Sequence, residues 1–319
     1  MEVRRLLKPL VFFGTPEFAL PTLEALCRAG REPVRVVTQP ARPVGRGRRL
    51  SDPPVAEWAR NQGLEVVQPD RVRDADFISA LAALEPAVAI VVAFGQIFPS
   101  ELLKLPARGC INLHASLLPR YRGAAPVQAA IAAGETVTGV TTMQMEEGLD
   151  SGPILLQEET EIGPQETGGR LSERLSQQGA ELVLETLDRL EAGGLDPRAQ
   201  NDEEASLAPR LKKSDGEIDW SLSAVEIFNR LRAFTPWPGV FSHLRGQPVK
   251  ILWGEPVGPG ADSTMQPGEL LCLEQDRLVI RCGEGTAFAV ERLQRPGRKP
   301  VTAVELDNSE HLEPGERFE

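Results

Sequence analysis

Three polar side chains that could stabilise an oxyanion or transfer a proton alternate at the end of one apolar segment: Asn112, His114 and Ser116. The segment, GCINLHASLLPRYRG (109–123), continues into a loop rich in proline, arginine and glycine. Alternation places all three side chains on one face of a strand. Asp150 follows in EEGLDSGPI and adds a carboxylate. Acyl transfer to an amine requires donors for an oxyanion and a group that takes up a proton, so this set of side chains is suited to it.

Each of these residues also has an ordinary structural explanation. A single histidine at a strand end is more often structural than catalytic, and an aspartate in GLDSG is more often a turn former. No GxSxG serine motif competes for the catalytic role. FGTPEF (13–18) has one glycine where dinucleotide binding requires GxGxxG, so it is either a ligand-lining loop or a plain turn.

The elements that must position these residues follow an alternating pattern. Apolar runs such as PLVFFG, PVRVVTQ, LEVVQ and AVAIVVAFG alternate with helical patterns from residue 9 onward. Continuously apolar strands between helices are typical of a parallel sheet covered on both faces. We therefore predict an α/β fold with a doubly wound, mostly parallel, Rossmann-like sheet, and a site at the carboxyl ends of its strands.

The composition changes after the long helical pattern that ends near residue 192. Residues 193–209 are polar and lack a sustained period, which predicts a linker. Residues 210–319 contain one helical pattern and several short strand-like runs separated by glycine and proline, which indicate a small antiparallel, OB-like β-barrel. The expected domains are therefore 1–192 and 210–319, joined by 193–209.

Composition narrows the class of protein further. The 319 residues carry a net charge of −11 and four cysteines that are far apart, which favours neither a metal site nor disulfides and fits the cytoplasm. No apolar run is long enough to span a membrane. Basic residues nevertheless form local groups that could hold a polyanion. Two of these groups are Arg42, Arg46, Arg48 and Arg49, and Arg210, Lys212 and Lys213.

The first basic group lies in an unusually long connection, QPARPVGRGRRLSDPP (39–54). Long loops inside compact domains are usually functional or disordered. Arginine binds phosphate through its planar, bidentate fork, so contact with RNA is one interpretation and a solvated basic loop is the other.

Five blocks in order along almost the whole chain resemble the folate-dependent formyltransferases, most closely those that act on methionyl-tRNA. They are FGTPEFA, TQPARPVGRGRRL, the long block from GCINLHASLLPRYRG to EEGLDSGPIL, APRLKKSDGEIDWS and LRAFTPWPGVF. The NxH motif, SLLPRYRG and the later aspartate are shared by the wider family. The arginine loop and the IDWS and FTPWPG blocks resemble the tRNA-specific members. Ala41 and Arg210 depart from the usual QPDRP and APKL patterns.

The resemblance implies a 10-formyltetrahydrofolate-binding catalytic domain over 1–192 and a tRNA-binding barrel over 210–319. It implies formyl transfer to the methionine of initiator Met-tRNA for translation initiation. Apart from the resemblance, we expect a monomer without a metal ion. The implied residues fall into three groups. The catalytic ones are Asn112, His114 and Asp150; the folate-contacting ones are Ser116, Leu117, Leu118 and Pro119; the tRNA-contacting ones are Arg46, Arg48, Arg49, Arg210, Lys212 and Lys213.

Two other functions remain open from the sequence. The same catalytic set could formylate a small amine, such as a nucleotide-linked glycinamide or an amino sugar. The chain could also be an RNA-binding or folate-binding protein that has lost catalysis, although the complete Asn, His and Asp set argues against this.

Overall fold

A computed structural model describes residues 7–44, 49–258 and 264–319, which form two compact units. Unit 1 comprises residues up to Pro126 together with 137–161 and 172–208. Unit 2 comprises 127–136, 162–171 and 209–319. The division therefore falls at Pro209, and two short internal segments belong to unit 2.

The strands of the described residues are numbered in chain order. They are β1 (Leu10–Gly14), β2 (Arg35–Val37), β3 (Arg42–Val44), β4 (Arg49–Ser51), β5 (Val66–Val67), β6 (Val88–Val92), β7 (Cys110–His114), β8 (Arg122–Gly123), β9 (Val137–Gln144), β10 (Ile154–Glu161), β11 (Leu207–Ala208), β12 (Val240–Leu244), β13 (Gln247–Val257), β14 (Leu270–Glu274), β15 (Arg277–Arg281), β16 (Ala287–Gln294) and β17 (Val301–Thr302).

The α-helices are numbered in the same way. They are α1 (Leu20–Arg28), α2 (Pro54–Asn61), α3 (Ala75–Ala82), α4 (Ser100–Lys104), α5 (Pro126–Ala132), α6 (Gly168–Ala192), α7 (Ala224–Ala233) and α8 (Ala303–Glu310).

Unit 1 is built on a seven-stranded sheet with the order β10-β9-β7-β6-β1-β2-β5. The five strands from β7 to β5 are parallel, while β9 runs antiparallel to β7 and β10 antiparallel to β9. Every residue of β1 and β6 is buried, as expected for strands covered on both faces. The predicted mostly parallel α/β sheet is confirmed.

Two small pairs of strands lie outside this sheet. Within the long connection after β2, β3 and β4 form an antiparallel hairpin whose central residues, 45–48, lie outside the described part of the chain. The other pair is parallel: β8 follows β7 in the chain, and β11 comes from the stretch 193–209. That predicted linker therefore contributes backbone hydrogen bonds within unit 1.

Unit 2 contains an antiparallel sheet with the order β12-β13-β16-β15-β14, and β17 pairs with β16. Its last residues bond to both edges of this sheet. The Leu270 N–H donates to the Glu316 carbonyl, and His243 and Glu319 exchange backbone hydrogen bonds, each 2.8 Å long. Residues 315–319 thus connect β14 to β12. The predicted antiparallel second domain is confirmed.

One tryptophan anchors this closure. The Trp220 indole N–H donates to the Ser242 hydroxyl at 3.0 Å, and that hydroxyl donates to the Glu319 carbonyl at 2.8 Å. The Trp220 ring packs edge-on against Phe318. The IDWS block, which the resemblance associates with tRNA-specific members, therefore has its tryptophan in the core of unit 2. No helix in the described ranges is long and apolar enough to cross a bilayer.

Candidate active site

The residues that could take part in a reaction lie at the end of β7 and in the turn that follows it. Asn112 and His114 lie two positions apart on β7, which pairs with β6 on one side and β9 on the other. His114 is buried. The Asn112 side-chain oxygen is also buried and has no hydrogen-bond partner among the described residues. Because an unpaired buried polar atom costs about 1–3 kcal/mol, it marks a group that a substrate or water can satisfy.

The two ring nitrogens of His114 have different surroundings. Nε2 lies 2.9 Å from the Tyr121 carbonyl oxygen, which can only accept, so this nitrogen carries the proton that forms the bond. Nδ1 lies 3.7 Å from the Asp150 carboxylate. The structure thus brings His114 and Asp150 together, and Nδ1 is the ring nitrogen free to meet a substrate.

Asp150 itself is oriented by a backbone group. Its Oδ2 accepts a hydrogen bond of 2.8 Å from the Gly123 N–H on β8. Asp150 adopts a left-handed backbone conformation, with φ of 49°, in the connection between β9 and β10. The sequence predicts Asp150 as a site residue, but nothing in its local pattern indicates Gly123 as its partner.

The backbone conformation and close packing at position 123 require glycine. Its φ is 125°, and a Cβ at this position would lie 2.5 Å from the Ala208 carbonyl oxygen on β11. A side chain there would therefore either strain the backbone or separate β8 from β11. The glycine that ends the PRYRG motif thus lets β8 run close enough to β11 to point its N–H at Asp150.

In the stretch from Ser116 to Pro119, two of the four residues are buried. The Ser116 hydroxyl donates to the Arg120 carbonyl at 2.6 Å, and Leu118 packs in a cluster with Met143 and Ile154. Leu117 and Pro119 are only partly buried. Of the four residues predicted to contact folate, Ser116 and Leu118 therefore direct their side chains into unit 1.

Thr141 holds the backbone of this turn. Its hydroxyl donates to the Ser116 carbonyl at 2.6 Å and accepts from the Leu118 N–H at 3.2 Å. Gln157 donates to the Leu118 carbonyl at 2.9 Å. These bonds fix the path of the chain between His114 and Tyr121, whose carbonyl accepts the hydrogen bond from Nε2 of His114.

Loops that follow three parallel strands, β1, β2 and β6, meet at the carboxyl ends of these strands. The Thr15 hydroxyl, after β1, and the Gln39 amide, after β2, both donate to the Phe94 carbonyl, after β6, at 3.0 and 3.2 Å. Ile97 in the last of these loops is 94% exposed. An isoleucine so exposed at the carboxyl ends of a parallel sheet is suited to apolar contact with a ligand.

The predicted RNA-contacting residues are separated between the units. Arg46 and Arg48 lie outside the described residues, and Arg49 begins β4. Arg210, Lys212 and Lys213 are exposed in unit 2. In the ranges 7–44, 49–258 and 264–319, no group of three or more His, Cys, Asp or Glu side chains is arranged to hold a metal ion.

Comparison with known proteins identifies the class to which this fold and site belong. The family model described as "Formyl transferase" matches residues 7–187, and the model "Formyl transferase, C-terminal domain" matches residues 210–311. The chain therefore belongs to the formyl transferase family.

Its relatives within that family carry a more particular name, methionyl-tRNA formyltransferase. The one from Geobacter metallireducens is 46% identical over 309 residues, which cover 97% of this chain and 98% of the relative. The one from Anaeromyxobacter dehalogenans is 47% identical over 299 residues, which cover 94% of this chain and 96% of the relative.

Solved structures of more distant proteins share the fold. An N-formyltransferase from Helicobacter canadensis, in complex with folinic acid and dTDP-3-aminofucose, matches with a TM-score of 0.63 at 17% identity and covers 88% of this chain and 98% of that one. HypX from Aquifex aeolicus in complex with tetrahydrofolic acid matches with a TM-score of 0.61 at 18% identity. The chain aligns over 94% of its own length but spans about half, 47%, of the HypX chain.

Proposed function

We propose that this protein transfers the formyl group of 10-formyltetrahydrofolate to the amino group of methionine on initiator Met-tRNA. The observation that carries the proposal is the Asn112, His114 and Asp150 set, assembled in a chain that is 46% identical over 97% of its length to a methionyl-tRNA formyltransferase. The folate supplies the formyl group on N10. The methionyl nitrogen adds to the formyl carbon to give a tetrahedral centre with an oxyanion, and the bond from that carbon to N10 then breaks. The attacking amine loses a proton and N10 gains one, so the products are formylmethionyl-tRNA and tetrahydrofolate.

Asn112 and His114 are the proposed donors to the formyl oxygen. Asn112 donates through its amide Nδ2, while its buried Oδ1, an acceptor with no partner among the described residues, remains available to accept a hydrogen bond from a substrate. His114 donates through Nδ1 when the ring is doubly protonated, since Nε2 already donates to the Tyr121 carbonyl. Each donor of this type is worth about 3–4 kcal/mol in the transition state.

Asp150 has two proposed roles. Its negative charge, 3.7 Å from Nδ1, stabilises the ring when Nδ1 is protonated and donates to the formyl oxygen. Its carboxylate, held by the Gly123 N–H, also takes up the amine proton, directly or through a water molecule.

The folate contact is proposed for the turn after β7 and the loop after β6. Because Ser116 and Leu118 are buried, we assign the side-chain contacts of the Ser116–Pro119 stretch to Leu117 and Pro119. Exposed Ile97 adds an apolar contact from the neighbouring loop. These residues supply apolar surface, and Asn112 supplies the polar group.

Binding of tRNA is proposed for two basic groups. One group is Arg46 and Arg48 between β3 and β4 in the sequence, with Arg49 at the start of β4. The other group is Arg210, Lys212 and Lys213 in unit 2. Exposure of the second group supports its role. Changing those three residues to glutamine should weaken tRNA binding and flatten its salt dependence, because fewer counterions are released. An unchanged slope of log Kd against log salt would refute their role.

We further propose that the protein works as a monomer in the cytoplasm. The four cysteines are all unpaired, which suits a reducing compartment. Light scattering during size exclusion tests the oligomeric state, with 34.8 kDa expected for a monomer.

One assay tests the reaction and its acceptor together. Purified protein is mixed with 10-formyltetrahydrofolate and one of three acceptors: initiator Met-tRNA, elongator Met-tRNA or a nucleotide-linked amino sugar. Formylmethionine released from the initiator tRNA alone is the expected product. Formylation of the amino sugar alone would mean that a small amine, and not the tRNA, is the acceptor. If a single-turnover reaction gave no product, the protein would be a binding protein without catalytic activity.

A further inference from the structure

Gln200 lies in the polar stretch 193–209 and uses every hydrogen-bonding position of its side chain. Its Nε2 donates to the carbonyl oxygens of Asp150 at 2.8 Å and Gly152 at 2.7 Å. Its Oε1 accepts from Nε and Nη2 of Arg122, at 3.0 and 2.9 Å. A primary amide has two donor hydrogens and two acceptor lone pairs, so Gln200 is fully paired.

These four bonds join the two segments that determine where the Asp150 carboxylate points. One segment is the connection that carries Asp150 and Gly152. The other is β8, where Arg122 is followed by Gly123, whose N–H donates to Asp150 Oδ2. Gln200 therefore links the backbone of the carboxylate to the strand that orients it.

The connection between β9 and β10 needs such a link because of the direction of β9. β9 runs antiparallel to β7, with Thr141 opposite His114 and Gln144 opposite Ile111. The Met145 N–H still bonds to the Cys110 carbonyl at 2.8 Å, so the connection leaves the sheet at the amino-terminal end of β7. Four residues of strand span about 13 Å, and Asp150 must return over that distance to reach His114.

The return path is narrow where the connection rejoins the sheet. A Cβ on Gly152 would collide with the Gln144 carbonyl oxygen, so only glycine allows the chain to pass there. Asp150 itself has a left-handed φ of 49°, a conformation that non-glycine residues adopt at some cost. Gln200 bonds to the carbonyls of both residues and holds this path.

We propose that Gln200 is a positioning residue for the His114–Asp150 pair. It does not touch the reacting atoms; it keeps the Asp150 carboxylate beside Nδ1 by tying its backbone to β8. The inference rests on the proposed function, in which that pair acts during formyl transfer.

Two substitutions separate the parts of this role. Gln200→Leu removes all four hydrogen bonds at similar volume. Gln200→Glu keeps an acceptor for Arg122 but turns a carboxylate oxygen toward the two carbonyls that Nε2 serves. Gln178→Leu is the matched control, because Gln178 makes one exposed bond of 3.3 Å to the Glu159 carbonyl on β10.

The main readout is single-turnover formylation of initiator Met-tRNA, measured well below each variant's Tm. A misplacement on the ångström scale should lower the rate of both Gln200 variants about 10- to 100-fold. Kd for tetrahydrofolate should stay within about twofold of the wild-type value, because Gln200 bonds to the Asp150 backbone and not to a residue proposed to contact folate. Gln178→Leu should match the wild type in both measurements.

A second readout reports the histidine directly. The chain has three histidines, so the ¹⁵N shifts of their rings can be assigned. The shifts of His114 should change in both Gln200 variants, while those of His243 and His311 in unit 2 serve as internal references and stay the same. A general loss of stability would not change His114 alone.

The possible failures are distinguishable. If the wild-type protein forms no formylmethionine, the proposed function fails, whereas a shift of His114 in the variants would still support positioning. If the wild type is active and Gln200→Leu retains its rate and its His114 shifts, the positioning role is overturned. Wild-type rates for Gln200→Glu alone would overturn the part assigned to the Nε2 donors.

Discussion

Replacing Asp150 with asparagine tests the charge argument at the centre of the site. The change keeps the size of the side chain and an oxygen that can accept from the Gly123 N–H at its 2.8 Å position. Because that oxygen takes the place of Oδ2, which is also the atom 3.7 Å from Nδ1 of His114, the imidazole then faces a neutral amide oxygen in place of a negative charge. The backbone path and the packing around Asp150 should therefore persist while the electrostatic term is lost.

The size of that term follows from the distance between the two groups. At 3.7 Å, two unit charges interact by about 4 kcal/mol with an effective dielectric constant of about 20. The side chains of His114 and Asp150 are only 7% and 18% exposed, so bulk water screens the pair little. A loss of about 4 kcal/mol from the transition state corresponds to a rate about three orders of magnitude lower.

The assay is single-turnover formylation of initiator Met-tRNA at saturating 10-formyltetrahydrofolate, with wild type and Asp150→Asn compared at neutral pH. Kd for tetrahydrofolate and Tm should be close to those of the wild type. Glu147→Gln is the control, because it removes a negative charge from an exposed position of the same connection. An Asp150→Asn rate within about tenfold of the wild type would refute the reasoning, since the Coulomb term would then be too small to matter.

Three further predictions concern the stability and reactivity of the two units. Gly123→Ala should lower the free energy of unfolding by about 1–3 kcal/mol, because its φ of 125° is strained for alanine; unchanged urea denaturation would contradict this. Burial raises the pKa of Cys110 and Cys282 to about 12, so at pH 8 a thiol reagent should modify about two of the four thiols in the native protein and all four in denaturant. A hydrogen bond from Arg245 lowers the pKa of the Glu316 carboxyl from its ordinary 4.5. Its stabilising contribution is present above that pH and is lost as the pH falls through the folded-state pKa, so Arg245→Gln should reduce the acid-dependent loss of stability in urea unfolding.

The strands and helices with a strong hydrophobic period were predictable from the sequence. The continuously apolar run AVAIVVAFG indicates a strand buried on both faces, and β6 is fully buried between β1 and β7. Buried positions of a strand or helix are apolar and recur at its structural period, so these elements can be predicted from the local sequence. The antiparallel sheet of unit 2 was predictable for the same reason.

The contacts that complete the site leave no such pattern. β8 and β11 are each two residues long, which is too short to show a hydrophobic period, and they pair across more than eighty positions of sequence. Ser206 accepts from the Tyr121 N–H at 2.9 Å, yet it belongs to a polar stretch that reads as a linker. A polar segment that is held by long-range hydrogen bonds has the same composition as a solvated one. The sequence therefore predicts Asn112, His114 and Asp150 but misses Gln200 and Gly123.

The same polar stretch also controls where positive charge lies near Asp150. Arg122 precedes Gly123, so an unpaired guanidinium there could compete with His114 for the carboxylate. Its Nε and Nη2 instead donate to Gln200, and Nη2 also lies 2.8 Å from a carboxylate oxygen of Asp202. Asp150 is thus oriented by a neutral backbone N–H, and the Arg122 guanidinium does not compete with the imidazole for its negative charge. Because the electrostatic stabilisation of a protonated His114 depends on that charge being unshared, the segment around Gln200 supports catalysis by position and by charge together.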